Sequence, residues 1–511
     1  MKPIGISLIR RAKRHGERTA VTDGSGDHSY QDLLIRSQIV AAGLLEGKKD
    51  LAESRVALLV PPGFEFVCMQ WGIWRAGGIA VPLCVSHPLP EWQYAVADSQ
   101  ADIVVVHPLF SAQLPAGIFG RKVRHMEPEE LLAGGCRNLP DVSRNRRALI
   151  VYTSGTTGRP KGAVLTHRAI DSQIANLVDA WQWRADDYIV NVLPLHHLHG
   201  LINVLACSLW VGATCEMHPG FDAESVWLSL LSGRPTLFMA VPTVYIQMIR
   251  FWQRASDDRR KRMSAAAKRL RLTVSGSAAL PVSTFEQWRD ITGQTMLERY
   301  GMTEIGMALS NPYCGERRPG WVGVPLPGVR VRLADESGTD IACEDVPGEI
   351  QVMGESLFRE YWNRPKETRD SFQGKWFRTG DIAVVQNGYY KILGRSSTDI
   401  IKSGGYKVSA LEIEEVLRSH PVIEECAVVG IDHPKWGEQV VAAIELRKGE
   451  PIETSDLRAW GKRRMAFYKV PLEFLVVDQL PRNALGKIVK PKVRSLFDTP
   501  PDKRSLRHDR L

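Results

Sequence analysis

The segment Tyr152-Thr-Ser-Gly-Thr-Thr-Gly-Arg-Pro-Lys-Gly162 concentrates hydroxyls, small residues and a lysine in eleven positions. Small residues let backbone N–H groups approach phosphate oxygens, hydroxyls add donors, and a lysine adds charge. Thr153, Ser154, Gly155, Thr156, Thr157, Gly158 and Lys161 therefore read as a phosphate-binding loop. It is not a Walker A loop, because Arg159 and Pro160 separate the second glycine from the lysine and Gly162 stands where Ser or Thr is required. A second cluster, Leu193-Pro-Leu-His-His-Leu-His-Gly200, offers three imidazoles. Their i, i+1, i+3 spacing does not place all three on one helical face, and no acidic or Cys ligand is near in sequence, so a metal reading is disfavoured. The eight cysteines are widely separated, without a C-x-x-C pair, as suits reduced thiols.

The elements around these residues follow from hydrophobic patterning. Ala148-Leu-Ile-Val-Tyr152 is a buried strand that empties into the Ser/Thr/Gly loop. After Val164-Leu165 a helix begins, with Thr166 as N-cap and Ile170, Ile174, Val178 and Trp181 on one face. Leu270-Arg-Leu-Thr-Val274 is a second strand, meeting Ser275-Gly-Ser277 in the same way. Loops at the carboxyl ends of strands are where α/β sheets hold ligands. The fold class is α/β: a large N-terminal part of several subdomains, residues 1–394, and a smaller α+β part, residues 395–511. Tyr389 to Leu393 reads as a strand before a polar hinge segment, Gly394-Arg395-Ser-Ser-Thr-Asp399. Ser409 with Glu412 makes a capping box opening a helix over 410–419, and strands are expected near 426–431, 440–446 and 472–477.

A length of 511 residues favours two to four domains. With 44% apolar and 24% charged residues, disorder and a disulfide scaffold are excluded. The net charge of +9 is spread along the chain, and without a basic arm or an aromatic-basic stripe it does not point to nucleic acid. The most apolar long stretch, residues 201–215, falls short of the ~20 residues a membrane span needs. The basic N-terminus lacks a signal-peptide apolar core, so a cytoplasmic location is expected, with an organelle matrix as the alternative.

The phosphate loop resembles the signature of the adenylate-forming superfamily, which includes acyl-CoA synthetases, luciferases and peptide-synthetase adenylation domains. The resemblance continues in order through Tyr300-Gly-Met-Thr-Glu304, Thr379-Gly-Asp381, Gly394-Arg395, Gly404-Gly-Tyr406 and Pro481-Arg-Asn-Ala-Leu-Gly-Lys487. It implies two steps: a carboxylate attacks the α-phosphate of ATP to give an acyl-adenylate, and a thiol then displaces AMP. By the same resemblance Glu304, after Thr303, is the Mg²⁺-linked acid, and Tyr300 belongs to the nucleotide site. Asp381 is the ribose-binding acid and Arg395 its basic partner. Ser275, Gly276 and Ser277 form the adenine-side loop. Lys487 is the mobile lysine of adenylation, and Gly404, Gly405 and Tyr406 face the thiol after the C-terminal domain rotates. The family's hinge residue is usually an Asp or Lys two positions after this Arg; Ser397 stands there and Asp399 lies two further on, so either could pivot. The chain ends 24 residues after Lys487, too few for a carrier domain, so coenzyme A is the expected thiol.

Arg299 occupies a position that, in the superfamily, abuts the acyl pocket. A desolvated guanidinium is costly without an anion, and an ordinary fatty or aromatic acid spends its only carboxylate on ATP. Either a second substrate carboxylate pairs with Arg299, or Glu298, Glu304 or another acid does. The words around Thr273-Val-Ser-Gly-Ser-Ala-Ala-Leu280, Leu297–Leu309 and Phe358-Arg-Glu-Tyr-Trp-Asn363 are similar to malonyl-CoA synthetases in particular. The resemblance implies an acid–thiol ligase that activates malonate or methylmalonate, with Arg299 as second-carboxylate ligand and His197 in the pocket. The alternative within the class is a ligase for a short or branched monocarboxylic acid.

Overall fold

Runs such as Ile103–Val106 and Leu237–Ala240 are too apolar for a half-exposed strand, and in the computed structural model both are strands buried along their whole length. The structure describes residues 5–111, 114–115, 117–120, 123–132, 138–153, 159–447, 452–482 and 488–498. The chain forms two compact units: residues 1–280, 284–331 and 352–377 in the first, and 281–283, 332–351 and 378–511 in the second.

The first unit carries two large sheets. One has seven strands, with Arg147–Thr153 between Ile79–Pro82 and Lys161–Thr166. The other has nine, and its central strands, including Tyr188–Asn191, Leu237–Ala240, Leu272–Ser275 and Leu297–Met302, run parallel. Parallel strands are joined by crossovers that cover both faces, which places their carboxyl ends and the following loops on one edge. The expected strand at 148–152 is present, but a second strand, Lys161–Thr166, returns antiparallel beside it and pairs Thr153 with Lys161. Only then does the helix His167–Ala180 start, capped by the Thr166 hydroxyl on Ala169 N. Ile170, Ile174 and Trp181 are buried as the periodicity requires, while Val178 is half-buried. The apolar run after residue 200 is a buried π-helical stretch, His199–Ala206, continued by Cys207–Val211.

The second unit is α+β. Its sheet orders Tyr406–Ser409, Ile400–Ser403, Gly437–Leu446 and Ile423–His433, with Glu473–Val476 parallel to the third. Both faces of Ile423–His433 are covered, since Cys426 and Val428 pack with Leu417 and Trp460 while Ala427 and Val429 pack with Val493 and Phe497. Ser409 caps the helix Ala410–Arg418 by accepting from Glu412 N, but the reciprocal half of the expected capping box is replaced. Glu412 instead turns its carboxylate to Lys469, 2.8 Å away, because a full cation is a stronger partner than a backbone N–H. Gly394 and Arg395 lie in the strand Tyr389–Arg395, so the turn starts at Ser396, two residues after the expected hinge segment does.

Candidate active site

Arg299 sits in the strand Leu297–Met302 and is only 2% exposed. Its Nη2 donates to Ser277 Oγ at 3.1 Å, whereas Nε and Nη1 have no hydrogen-bond partner among the described residues. The neighbouring acids face elsewhere. Side chains alternate along a strand, so Glu298 projects to the opposite side, where it accepts from Leu280 N at 3.3 Å. Glu304 accepts from Tyr361 Oη at 2.8 Å. Burial pushes the Arg299 guanidinium down to about 9, so it still carries its charge at neutral pH.

The loop after Leu272–Ser275 is shaped around this cation. A Cβ on Gly276 would lie 2.6 Å from Arg299 Nε, so only glycine permits the approach. Ser277 holds φ +70, a left-handed conformation rare outside glycine and Asn, and its hydroxyl lies 3.3 Å from His199 Nδ1 as well as on Arg299. Ser277 thus links the buried arginine to the imidazole at the start of the π-helical stretch. The histidine expected in the pocket is His197. His197 is half-buried beside His196, with ring centroids 4.1 Å apart, and His199 is the imidazole that reaches Ser277. Burial, then His197 and His87, push His196 down to about 2, so its ring is neutral. The sequence shows no cysteine near these histidines, but the fold brings Cys84 to His196.

Thr303 and Glu304 form the turn between Leu297–Met302 and Gly306–Ser310, and Glu304 is buried. Tyr300, on the preceding strand, is half-buried. The short strand Glu360–Tyr361 pairs with Lys161–Thr166 and so delivers Tyr361 to Glu304. Lys161 Nζ lies 5.4 Å from the Tyr361 ring centre, within cation–π reach. A lysine, a phenol and a buried carboxylate therefore adjoin the strand end that carries Thr153. Such an oxygen donor suits a hard divalent cation shared with phosphate, so Glu304 fits the expected metal role. Tyr361 carries no signal of this contact in the sequence beyond its place in the aromatic word Phe358-Arg-Glu-Tyr-Trp.

In the second unit Asp381 and Arg395 are cross-strand partners, and Arg395 Nε donates to Asp381 Oδ1 at 2.9 Å. Asp381 is buried, and its N–H donates to Thr379 Oγ1. Gly404 and Gly405, at φ +56 and +85, form the two-residue turn of the hairpin whose second strand begins at Tyr406. Tyr406 stacks on Tyr468 with ring centres 4.2 Å apart. Asp399 accepts from Arg395 N and is held by Lys490 Nζ at 2.6 Å, which also pairs with Glu414 at 2.8 Å. Ser397 is exposed. Ser154, Gly155, Thr156, Thr157, Gly158 and Lys487 lie outside the described residues.

The two folds and their motif-bearing loops define a class. The chain matches the AMP-binding enzyme family over residues 8–362 and that family's C-terminal domain over residues 412–487, and it belongs to this family of ATP-dependent, adenylate-forming ligases. It is 44% identical to the mitochondrial malonate–CoA ligase of Mus musculus, covering 95% of this chain and 89% of the relative. It is 39% identical to a malonate–CoA ligase of Arabidopsis thaliana, covering 89% of this chain and 79% of that one. Among solved structures, ATP-bound MatB from Rhodopseudomonas palustris superposes with a TM-score of 0.87 at 32% identity, covering 98% of this chain and 99% of that chain. Among the described residues no helix is long and apolar enough to cross a membrane.

Proposed function

We propose that this enzyme joins malonate to coenzyme A through a malonyl-adenylate, with methylmalonate as a second substrate. One malonate oxygen attacks the α-phosphorus of ATP and pyrophosphate leaves; the coenzyme A thiol then attacks the acyl carbonyl, AMP leaves, and the thiol proton passes to solvent. The observation that carries the reading is Arg299: a buried guanidinium whose Nε and Nη1 have no partner among the described residues fits the carboxylate that does not react. The names of the malonate–CoA ligase relatives support the same substrate.

Ser277 and His199 position Arg299, and His197 adjoins the reacting end of the substrate. Thr153, Ser154, Gly155, Thr156, Thr157, Gly158 and Lys161 bind the phosphates, and Ser275 and Gly276 with Tyr300 hold the base and sugar side. Glu304, with Thr303, would hold Mg²⁺, and the ion would supply charge neutralisation on the phosphates. Asp381 takes the ribose hydroxyls and Arg395 orients it. Lys487 stabilises charge developing on the α-phosphate during adenylation. Residues 395–511 then move as a domain, and Gly404, Gly405 and Tyr406 meet the thiol. A cytoplasmic location suits the free cysteines, of which Cys68, Cys84, Cys207, Cys215 and Cys426 are buried; fractionation of cells decides between it and the mitochondrial matrix.

A panel of acids assayed for pyrophosphate release and thioester formation tests the substrate. Malonate should exceed acetate and medium-chain acids; equal use of acetate would overturn the assignment. Arg299→Ala should lower kcat/KM for malonate by at least ~100-fold, in keeping with the cost of breaking a buried ion pair, and leave the KM for ATP within about threefold. Equal loss toward both substrates would refute its role.

A further inference from the structure

We propose that Cys84, His87 and His196 form a zinc site in the first unit, separate from the magnesium and nucleotide chemistry. One ligand atom from each of the three lies within 4.8 Å of the other two. Cys84 and His87 flank the turn after the strand Ile79–Pro82; a hydrogen bond from His87 N to Cys84 O at 3.1 Å closes it and sets positions i and i+3 side by side. His196 arrives from the segment before the π-helical stretch, with its ring centre 5.7 Å from that of His87.

The surroundings are those of a ligand set rather than of a polar network. His196 Nε2 is buried and has no hydrogen-bond partner among the described residues. His87 Nδ1 lies 2.8 Å from a Glu91 carboxylate oxygen, the outer contact that orients an imidazole so that its other nitrogen faces a metal. Cys84 is buried, and Ser86 Oγ lies 3.2 Å from its sulfur. Bond lengths of roughly 2.3 Å to sulfur and 2.0–2.1 Å to nitrogen need ligand atoms somewhat closer together than 4.8 Å, a small side-chain adjustment on a turn. A thiolate with two imidazoles selects zinc over magnesium, which takes oxygen donors. Binding replaces the Cys84 S–H bond with an S–Zn bond and releases that proton to solvent; no electrons move. Three protein ligands leave the fourth position for water, and the metal would tie the 84–87 turn to the histidine segment.

The full-length enzyme, stripped with a chelator, is titrated with Zn²⁺ against a chromogenic chelator, and with Co²⁺ for its absorption spectrum. One Zn²⁺ per chain and a thiolate-to-cobalt charge-transfer band are expected. Cys84→Ser and His196→Gln should each weaken zinc binding by at least ~100-fold, and Glu91→Gln by about 10-fold. His87→Gln, on the half-exposed turn, serves as the variant least able to disturb the core, with its melting temperature as the folding check. No binding by the parent enzyme, no charge-transfer band, or a folded His87→Gln that binds zinc as tightly as the parent would each overturn the site.

Discussion

Arg299, Ser277 and Glu304 show how much of the candidate site is decided atom by atom. Among the described residues Arg299 is hydrogen-bonded by one hydroxyl, that of Ser277, and Ser277 itself sits at an unfavourable φ, so the loop stores strain where a ligand is expected. Tyr361 and Ser277 serve buried charges in opposite senses: the Tyr361 phenol donates to the Glu304 carboxylate, and the Ser277 hydroxyl accepts from the Arg299 guanidinium. Tyr361→Phe removes that donor without changing shape. Steady-state kinetics should show kcat reduced about 10-fold, a loss of ~1.4 kcal/mol at the low end for a hydrogen bond to a charged group, with the KM for malonate unchanged. A rise in malonate KM without loss of kcat would place Tyr361 with the acyl pocket instead.

At the scale of elements, two hairpins carry residues proposed for the phosphates and the thiol. The antiparallel pair Arg147–Thr153 and Lys161–Thr166 fixes Thr153 opposite Lys161, so the lysine's place is set by register rather than by the loop between them. The hairpin Ile400–Ser403 and Tyr406–Ser409 turns on two glycines. A Cβ on Gly405 meets nothing within 4 Å, so Gly405→Ala tests conformation alone. At φ +85 the added Cβ should cost about 1 kcal/mol, seen as a lower midpoint of denaturation. Thioester formation should slow while malonate-dependent pyrophosphate release is kept, which a stopped assay of each half-reaction resolves.

The whole molecule depends on cores that burial has made pH-sensitive. His167, at the start of the helix His167–Ala180, is 3% exposed and packs edge-on against Trp74 with ring centres 5.6 Å apart. Burial holds it down to about 3, against 6.5 when unfolded. Between these values the unfolded chain binds the proton and the folded one does not, so stability rises with pH across that window and is lost as pH falls from 6.5 toward 3. For one histidine the slope reaches at most ~1.4 kcal/mol per pH unit. Denaturation midpoints of the parent and of His167→Gln, followed from pH 7 to 4, should converge as pH falls; parallel curves would show that His167 does not titrate on unfolding.

The sequence by itself determined the family and the strand placements, because motif residues at fixed offsets, and apolar runs of strand length, are local properties. Ala148-Leu-Ile-Val-Tyr152, the Thr166 cap and the three late strands were legible for that reason. The family motifs were legible too, as ordered words along the chain. Only the tertiary structure decided which acid, if any, meets Arg299, that His199 rather than His197 reaches Ser277, and that Tyr361 serves Glu304. Glu412 likewise left its capping box for Lys469, 57 residues away. Each of these pairings joins residues far apart in sequence or chooses between two faces of one strand, and neither is written in composition or spacing. They are fixed when parallel strands stack in register and burial removes water as the alternative partner.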